Sequence, residues 1–182
     1  MLPGDLAIWV FICAELLVFG IFFMAYAIVH SSHAEMFNQY QQTLDKTSGA
    51  INTILLITAS YFVVIALQKL KEESHKIASY WLWAAFIVGF GFVINKSLEF
   101  YEHSSHGIRL STNLFYMFYL SMTFFHFMHV ILGMIILAWM AKKSAEGVYT
   151  PDNLNGAVSG GAYWHMVDLV WIVLFPLIYV MK

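Results

Sequence analysis

Five stretches of this sequence are long and apolar enough to dictate helices in a lipid solvent. They run over about 6–29, 51–69, 77–101, 114–141 and 162–181. Each offers roughly 18 or more mostly apolar residues, enough to cross a hydrocarbon core of ~30 Å at ~1.5 Å per residue. The runs do not alternate and are too long for barrel strands, so their backbone must be satisfied within each segment. The expected fold is all-α, a five-helix transmembrane bundle forming a single domain over 1–182. Charge agrees with this. Only 11% of residues are charged, and soluble domains carry about twice that fraction.

The punctuation fits five spans. Pro3-Gly4-Asp5 opens the first helix, with Asp5 as N-cap. Thr47-Ser48-Gly49 precedes the second. Thr150-Pro151-Asp152 and Ser159-Gly160-Gly161 bracket the loop before the fifth, and Pro176 is expected to kink that helix. The first run has no basic leader and no small-residue cleavage site, so it reads as a retained helix. No internal repeat is visible. A net charge of −2 without a basic patch gives no reason to expect nucleic acid. The lone Cys13 reads as apolar filler.

Lys69, Lys71, Lys76, Lys142 and Lys143 fall on the side that holds the N-terminus. Lys46, Lys96, Arg109 and Lys182 fall on the other. Five against four is a small bias, and it favours the N-terminus inside. Trp81, Trp83, Trp139 and Trp164 sit near the expected inner ends, as interfacial aromatics do.

Polar residues within the spans are the candidate functional groups, because a charge at bilayer depth costs at least ~2.5 kcal/mol. They are Glu15, Glu99, His126, His129, His165 and Asp168. Glu15 lies about 15 Å from the inner end of its helix, His129 about 16 Å and His126 about 20 Å. Glu15 and His129 are therefore expected to meet. His165 and Asp168 come out shallow, at roughly 5 and 9 Å, and Glu99 at about 33 Å, where water would wet it and Glu102. For the histidines and Asp168 the plain reading is interhelical hydrogen bonding; for Glu15 it is a carboxyl bonded within the bundle, and the sharper one is proton exchange or lipid contact. A haem between His129 and His165 is disfavoured by their depth difference of roughly 11 Å. Two histidines and Glu15 would suit a metal with open positions. No cysteine pair, phosphate loop or His-Glu-x-x-His motif is present.

Taken together these segments resemble subunit III of the haem–copper oxidases. The resemblance is carried by the apolar first helix with central Glu15, by Ser97-Leu98-Glu99-Phe100-Tyr101, by Phe125-His126-Phe127-Met128-His129-Val130-Ile131-Leu132-Gly133 and by Tyr163-Trp164-His165-Met166-Val167-Asp168-Leu169-Val170-Trp171. It covers the whole chain in order. The common form has seven helices, and this looks like the short form lacking the first two. Within the family it looks most like the short subunit-III-like proteins associated with bacterial nitric oxide reductase, the NorE type, with a terminal-oxidase subunit III as the close alternative.

The resemblance implies a non-catalytic accessory subunit in a bacterial inner membrane, N-terminus cytoplasmic and C-terminus periplasmic. It implies that no cofactor is bound by this chain. Haem and copper or non-haem iron would reside in a haem–copper catalytic partner of the subunit I type. Phospholipids are expected as further partners. Glu15 matches the family's membrane-embedded carboxylate, and Glu99, His126, His129, His165 and Asp168 match other signature positions. The competing readings are an independent proton or ion conductor and, less favoured by depth, a small membrane cytochrome.

Overall fold

A computed structural model describes residues 5–150 and 153–181. Pro3, Gly4, Pro151, Asp152 and Lys182, which the sequence reading used, lie outside the described residues. The helices are α1 (Leu6–Ser32), α2 (Ala34–Gln41), α3 (Lys46–Lys71), α4 (His75–Ser105), α5 (Leu114–Ala145) and α6 (Asn155–Phe175), and a π-helical turn over Pro176–Val180 extends α6. Among the described residues five helices are long and apolar enough to span a membrane, all but α2.

The spans α1, α3 and α5 begin where a side chain satisfies an orphan amide of the first turn. The Asp5 carboxylate accepts from Ala7 N–H at 3.1 Å, Asp45 from Thr47 N–H at 2.9 Å and the Asn113 amide oxygen from Tyr116 N–H at 2.8 Å. Three spans end alike. After α3, α4 and α5 a residue with positive φ turns the chain back, and the next N–H bonds a carbonyl five residues earlier. Gly107 (φ 74°) and Gly147 (φ 71°) do this without a Cβ penalty, whereas Glu73 does it at φ 56°. Left-handed backbone costs a Cβ-bearing residue ~1–2 kcal/mol. Glu73→Gly is therefore expected to stabilise the protein by about 1 kcal/mol. A thermal melt in detergent that stays put or falls would contradict this.

The core lies between α3, α4, α5 and α6. Over its most apolar stretch α6 is 56% buried, and α1 only 11%. Ile12, Phe19 and Tyr26 are buried on α1 at a seven-residue spacing, so α1 touches the bundle along one narrow seam. Leu6, Val10, Leu17, Ile21, Met24 and Ile28 face outward.

Three expectations change here. Ser159, Gly160 and Gly161 do not close a loop. They belong to α6, which starts seven residues early. A Cβ on Gly161 would lie 2.8 Å from Leu67 Cδ1 of α3, and one on Gly160 would collide with Met140 of α5. These glycines bring helices together rather than break one. Trp164 is not interfacial. It is 1% exposed and rests on Gly89 of α4 and Gly133 of α5. Trp83 and Trp139 do face outward.

The third change is α2, which the sequence reading missed. It places Phe37 against Tyr26 and Phe115 and Gln41 against the end of α6. Pro176 has no N–H to continue the helical ladder, and the chain widens into the π turn. The Gln41 amide nitrogen then donates to the carbonyls of Ile178 (2.9 Å) and Met181 (2.7 Å). Gln41→Leu strips both carbonyls of a buried partner and is expected to cost about 1–3 kcal/mol. Hydrogen exchange at Val180 and Met181 should accelerate if the last turn frays, and unchanged exchange there would refute the role.

Candidate functional site

Glu15 sits on the one face of α1 that meets the bundle. Its carboxylate Oε2 lies 3.0 Å from His129 Nε2 on α5, so the depth match was correct for this pair. The other ring nitrogen, Nδ1, lies 2.8 Å from the Phe125 carbonyl. A carbonyl only accepts, so Nδ1 carries a hydrogen. One further proton then sits between Nε2 and Oε2, on either partner. Phe19 and Phe125 flank the imidazole with ring centroids 5.5 and 4.6 Å away. The Tyr163 hydroxyl donates to the His129 carbonyl at 3.2 Å. The Glu15 side chain remains 18% exposed. Beside the pair an apolar groove of about 380 Å³ runs along Met128, His129, Ile131, Leu132 and Ile135.

One turn away on α5, His126 is fully buried. The rings of Phe19, Phe92 and Trp171 surround it, with Trp171 closest at 5.2 Å. Neither ring nitrogen has a partner among the described residues. The hydrogen bond expected of it is absent there.

Glu99 is buried, not wetted. It is 6% exposed and pairs at 3.0 Å with Lys96, which is 0% exposed. Lys96 and Glu99 lie one turn apart on α4, and the apolar run around them gives both only each other and two phenols. Tyr179 bonds Lys96 Nζ and Glu99 Oε1, each at 2.7 Å, and Tyr119 donates to the same carboxylate oxygen. The ammonium also lies 5.1–5.6 Å from the ring centres of Tyr119, Phe100, Tyr179 and Trp171, within cation–π range. Lys96 is therefore an internal ion and leaves the count of flanking charges. Glu102, by contrast, is exposed.

His165 and Asp168 are deeper than expected. With α6 starting at Asn155 they lie about 15 and 20 Å from its first residue, at ~1.5 Å per residue. The depth difference between His129 and His165 therefore cannot be what keeps them apart. Direction does: His129 faces Glu15 of α1, while His165 Nδ1 lies 2.6 Å from Ser60 Oγ of α3. Asp168 is 8% exposed, with Oδ1 unpartnered among the described residues. Further along, Trp171 Nε1 donates to Thr53 Oγ1 at 3.0 Å. Asn95 bridges α4 to Asn52 and Ser48 of α3, both at 2.9 Å.

The six candidates thus divide into a Glu15–His129 pair, an enclosed His126, a Glu99 ion cluster, a His165–Ser60 contact and a buried Asp168. Glu15, His126 and His129 do not converge as ligands, and among the described residues no three His, Cys, Asp or Glu could hold a metal. The sequence reading missed Lys96 and Tyr179 as partners of Glu99. The available signal was Lys96 at i−3 from an acid within an apolar run.

These features define a multi-pass membrane protein with buried polar pairs at helix contacts. The chain belongs to the cytochrome c oxidase subunit III family, whose model matches residues 4–182. It is 29% identical over 177 residues to cytochrome c oxidase subunit 3 of Thermostichus vulcanus, covering 97% of this chain and 86% of that one. It is 26% identical over 176 residues to quinol oxidase subunit 3 of Bacillus subtilis, covering 97% and 86%. It also matches the haem–copper oxidase subunit I+III of Aeropyrum pernix, with 28% identity over 179 residues covering 95% of this chain and 22% of that longer protein.

Proposed function

We propose that this chain is a non-catalytic subunit III of a haem–copper respiratory complex in a bacterial inner membrane. In this reading it packs beside a catalytic subunit of the subunit I type, contacts phospholipid and supports proton uptake. The observation that carries the reading is the fused relative from Aeropyrum pernix, named for subunits I and III together. The outward apolar surface of α1 agrees with a chain meant to be covered by lipid or a partner helix. Haem and copper, or haem and non-haem iron, belong to the partner. His129 and His165 suit that division, because His129 has both nitrogens engaged and His165 is held by Ser60.

Within that reading the Glu15–His129 pair stores one proton at the edge of the bundle. The nitric oxide reductase-associated, NorE-type branch is the finer assignment, supported by the stretches around Trp164 and Pro176. The relatives named above are cytochrome c and quinol oxidase subunits, so the terminal-oxidase assignment is its direct rival. The N-terminus is placed in the cytoplasm. With Lys96 an internal ion, the flanking positive charges favour that side more strongly.

Gentle purification of tagged protein from its native membrane tests the reading. A large haem-containing subunit should co-purify, and its visible spectrum and substrate should assign oxygen or nitric oxide. A chain that purifies alone and carries protons across liposomes would replace the proposal with an independent conductor. Haem bound to the isolated chain would replace it with a cytochrome.

A further inference from the structure

Gly20 stands in the middle of α1, and the fold gives no reason for it. A Cβ placed there would meet nothing within 4 Å. Every other described glycine either turns the chain at positive φ, as Gly107 and Gly147 do, or has a neighbouring side chain within 4 Å of that position. Glycine weakens a helix relative to alanine. An open glycine at mid-span therefore answers to something outside this bundle.

Gly20 belongs to a pattern. The residues seven positions to either side are Cys13 and Ala27, and all three are exposed. Val10, Leu17 and Met24 alternate with them and are 64–66% exposed. The spacing steps by three and four, as in a seam that receives another helix. It is a second seam on α1, one residue on from Ile12, Phe19 and Tyr26, which face the bundle. Apolarity alone would say nothing of a partner, because lipid tails are as apolar as leucine. Small residues do, because they let two helix backbones approach closely. The outward faces of α4 and α5 carry bulky side chains instead, Ile87 and Phe90 on one and Phe124 and Ile135 on the other.

The alternation of small and large argues against a second copy of this chain. All copies insert with one orientation, so two α1 helices could pair only in parallel. Leu17 and Met24 would then each meet their own counterparts, and those bulky layers would hold the small ones apart. An antiparallel helix instead sets its large side chains against the small positions. A helix joined to the start of α1 by a short link crosses back and runs antiparallel to it. The fused relative from Aeropyrum pernix, named for subunits I and III together, is one such joined chain. Joining uses a terminal span. Of the two here α6 is the most buried of the five spans and α1 the least, so α1 is the one with a face to give.

We propose that this seam docks an antiparallel transmembrane helix of the haem-carrying catalytic subunit, with large apolar side chains set against Cys13, Gly20 and Ala27. The proposal rests on the reading of the chain as a subunit III and adds the face by which it binds. The test uses the full-length tagged chain in its native membrane, with Leu17 replaced by the photo-crosslinker benzoylphenylalanine. Light should join it to the haem-containing subunit, whereas the same crosslinker in place of Ile135, on the outward face of α5, should not. Gly20→Leu should lower the amount of that subunit retained on purification about tenfold, as overpacking a close contact would. The variant's own melt in detergent should stay put, because nothing in the bundle lies within 4 Å of the added Cβ. Unchanged retention in Gly20→Leu would overturn the proposal. A crosslinked band at twice the mass of this chain would overturn it in favour of a second copy. A haem-containing subunit that co-purifies but shows no preference for Leu17 over Ile135 would overturn the face and leave the subunit III reading standing. An unaltered chain that purifies without any haem-containing subunit would overturn both.

Discussion

Lys96→Met is expected to destabilise the protein by about 3–5 kcal/mol, because it leaves the Glu99 carboxylate charged, buried and facing only two phenols. The paired change Lys96→Met with Glu99→Gln should cost much less, since neither charge then needs compensation. The argument rests on burial. Lys96 is 0% exposed, and its ammonium spends its interactions on one carboxylate, two hydroxyls and four ring faces. Removing one ion of such a pair destroys the compensation of the other, whereas removing both destroys the need for it. Unfolding by sodium dodecyl sulfate in mixed micelles gives the energies, and Trp171, 5.6 Å from the ammonium, is a local fluorescence reporter. A double variant as unstable as the single one would show that the cluster stabilises through packing, not charge compensation.

The second large effect concerns Trp164. A Cβ on Gly133 would lie 2.9 and 3.1 Å from two atoms of its indole ring, and one on Gly89 would lie 2.9 Å from a third. The ring is held between helices that approach only because neither carries a side chain there. Gly133→Ala should therefore cost about 1–3 kcal/mol by overpacking. Trp164→Phe should cost a similar amount by opening a cavity. Together they should cost less than their sum, because the smaller ring vacates the space that the methyl needs. Additive losses in a double-mutant cycle would mean that the new methyl is relieved by helix displacement, not at Trp164.

The spans were legible because lipid leaves a chain few options. A run of some twenty apolar residues can satisfy its backbone only as a helix. The ends were less legible. Gly160 and Gly161 carry the same letters whether they break a helix or let one approach another, and only Leu67 and Met140 on neighbouring helices decide between these. That choice moved His165 and Asp168 from the membrane surface to its interior. The meeting of Glu15 and His129 was readable because both depths were counted from helix ends that were nearly right. Glu99 was misread because depth along one helix says nothing about a tyrosine arriving from another. Tyr179 reaches it from 80 positions away, on a π turn whose geometry follows from Pro176. The short α2 gave no signal of span length, and its role depends on the Ile178 and Met181 carbonyls, left open where the last helical turn ends.

The narrow seam of α1 bears on how the protein is made. Glu15 and His129 are 114 positions apart. At a synthesis rate of about 5–20 residues per second, α1 waits roughly 6–23 s before its partner histidine is translated. During that interval the helix has a polar side chain, an apolar surface and no bundle to join. It is synthesised before the other described spans, and its contacts with α5 and α6 must wait for those helices. Whatever shelters nascent spans at the translocon must therefore shield Glu15 in the meantime, and biogenesis, not the finished fold, is where this helix is most vulnerable.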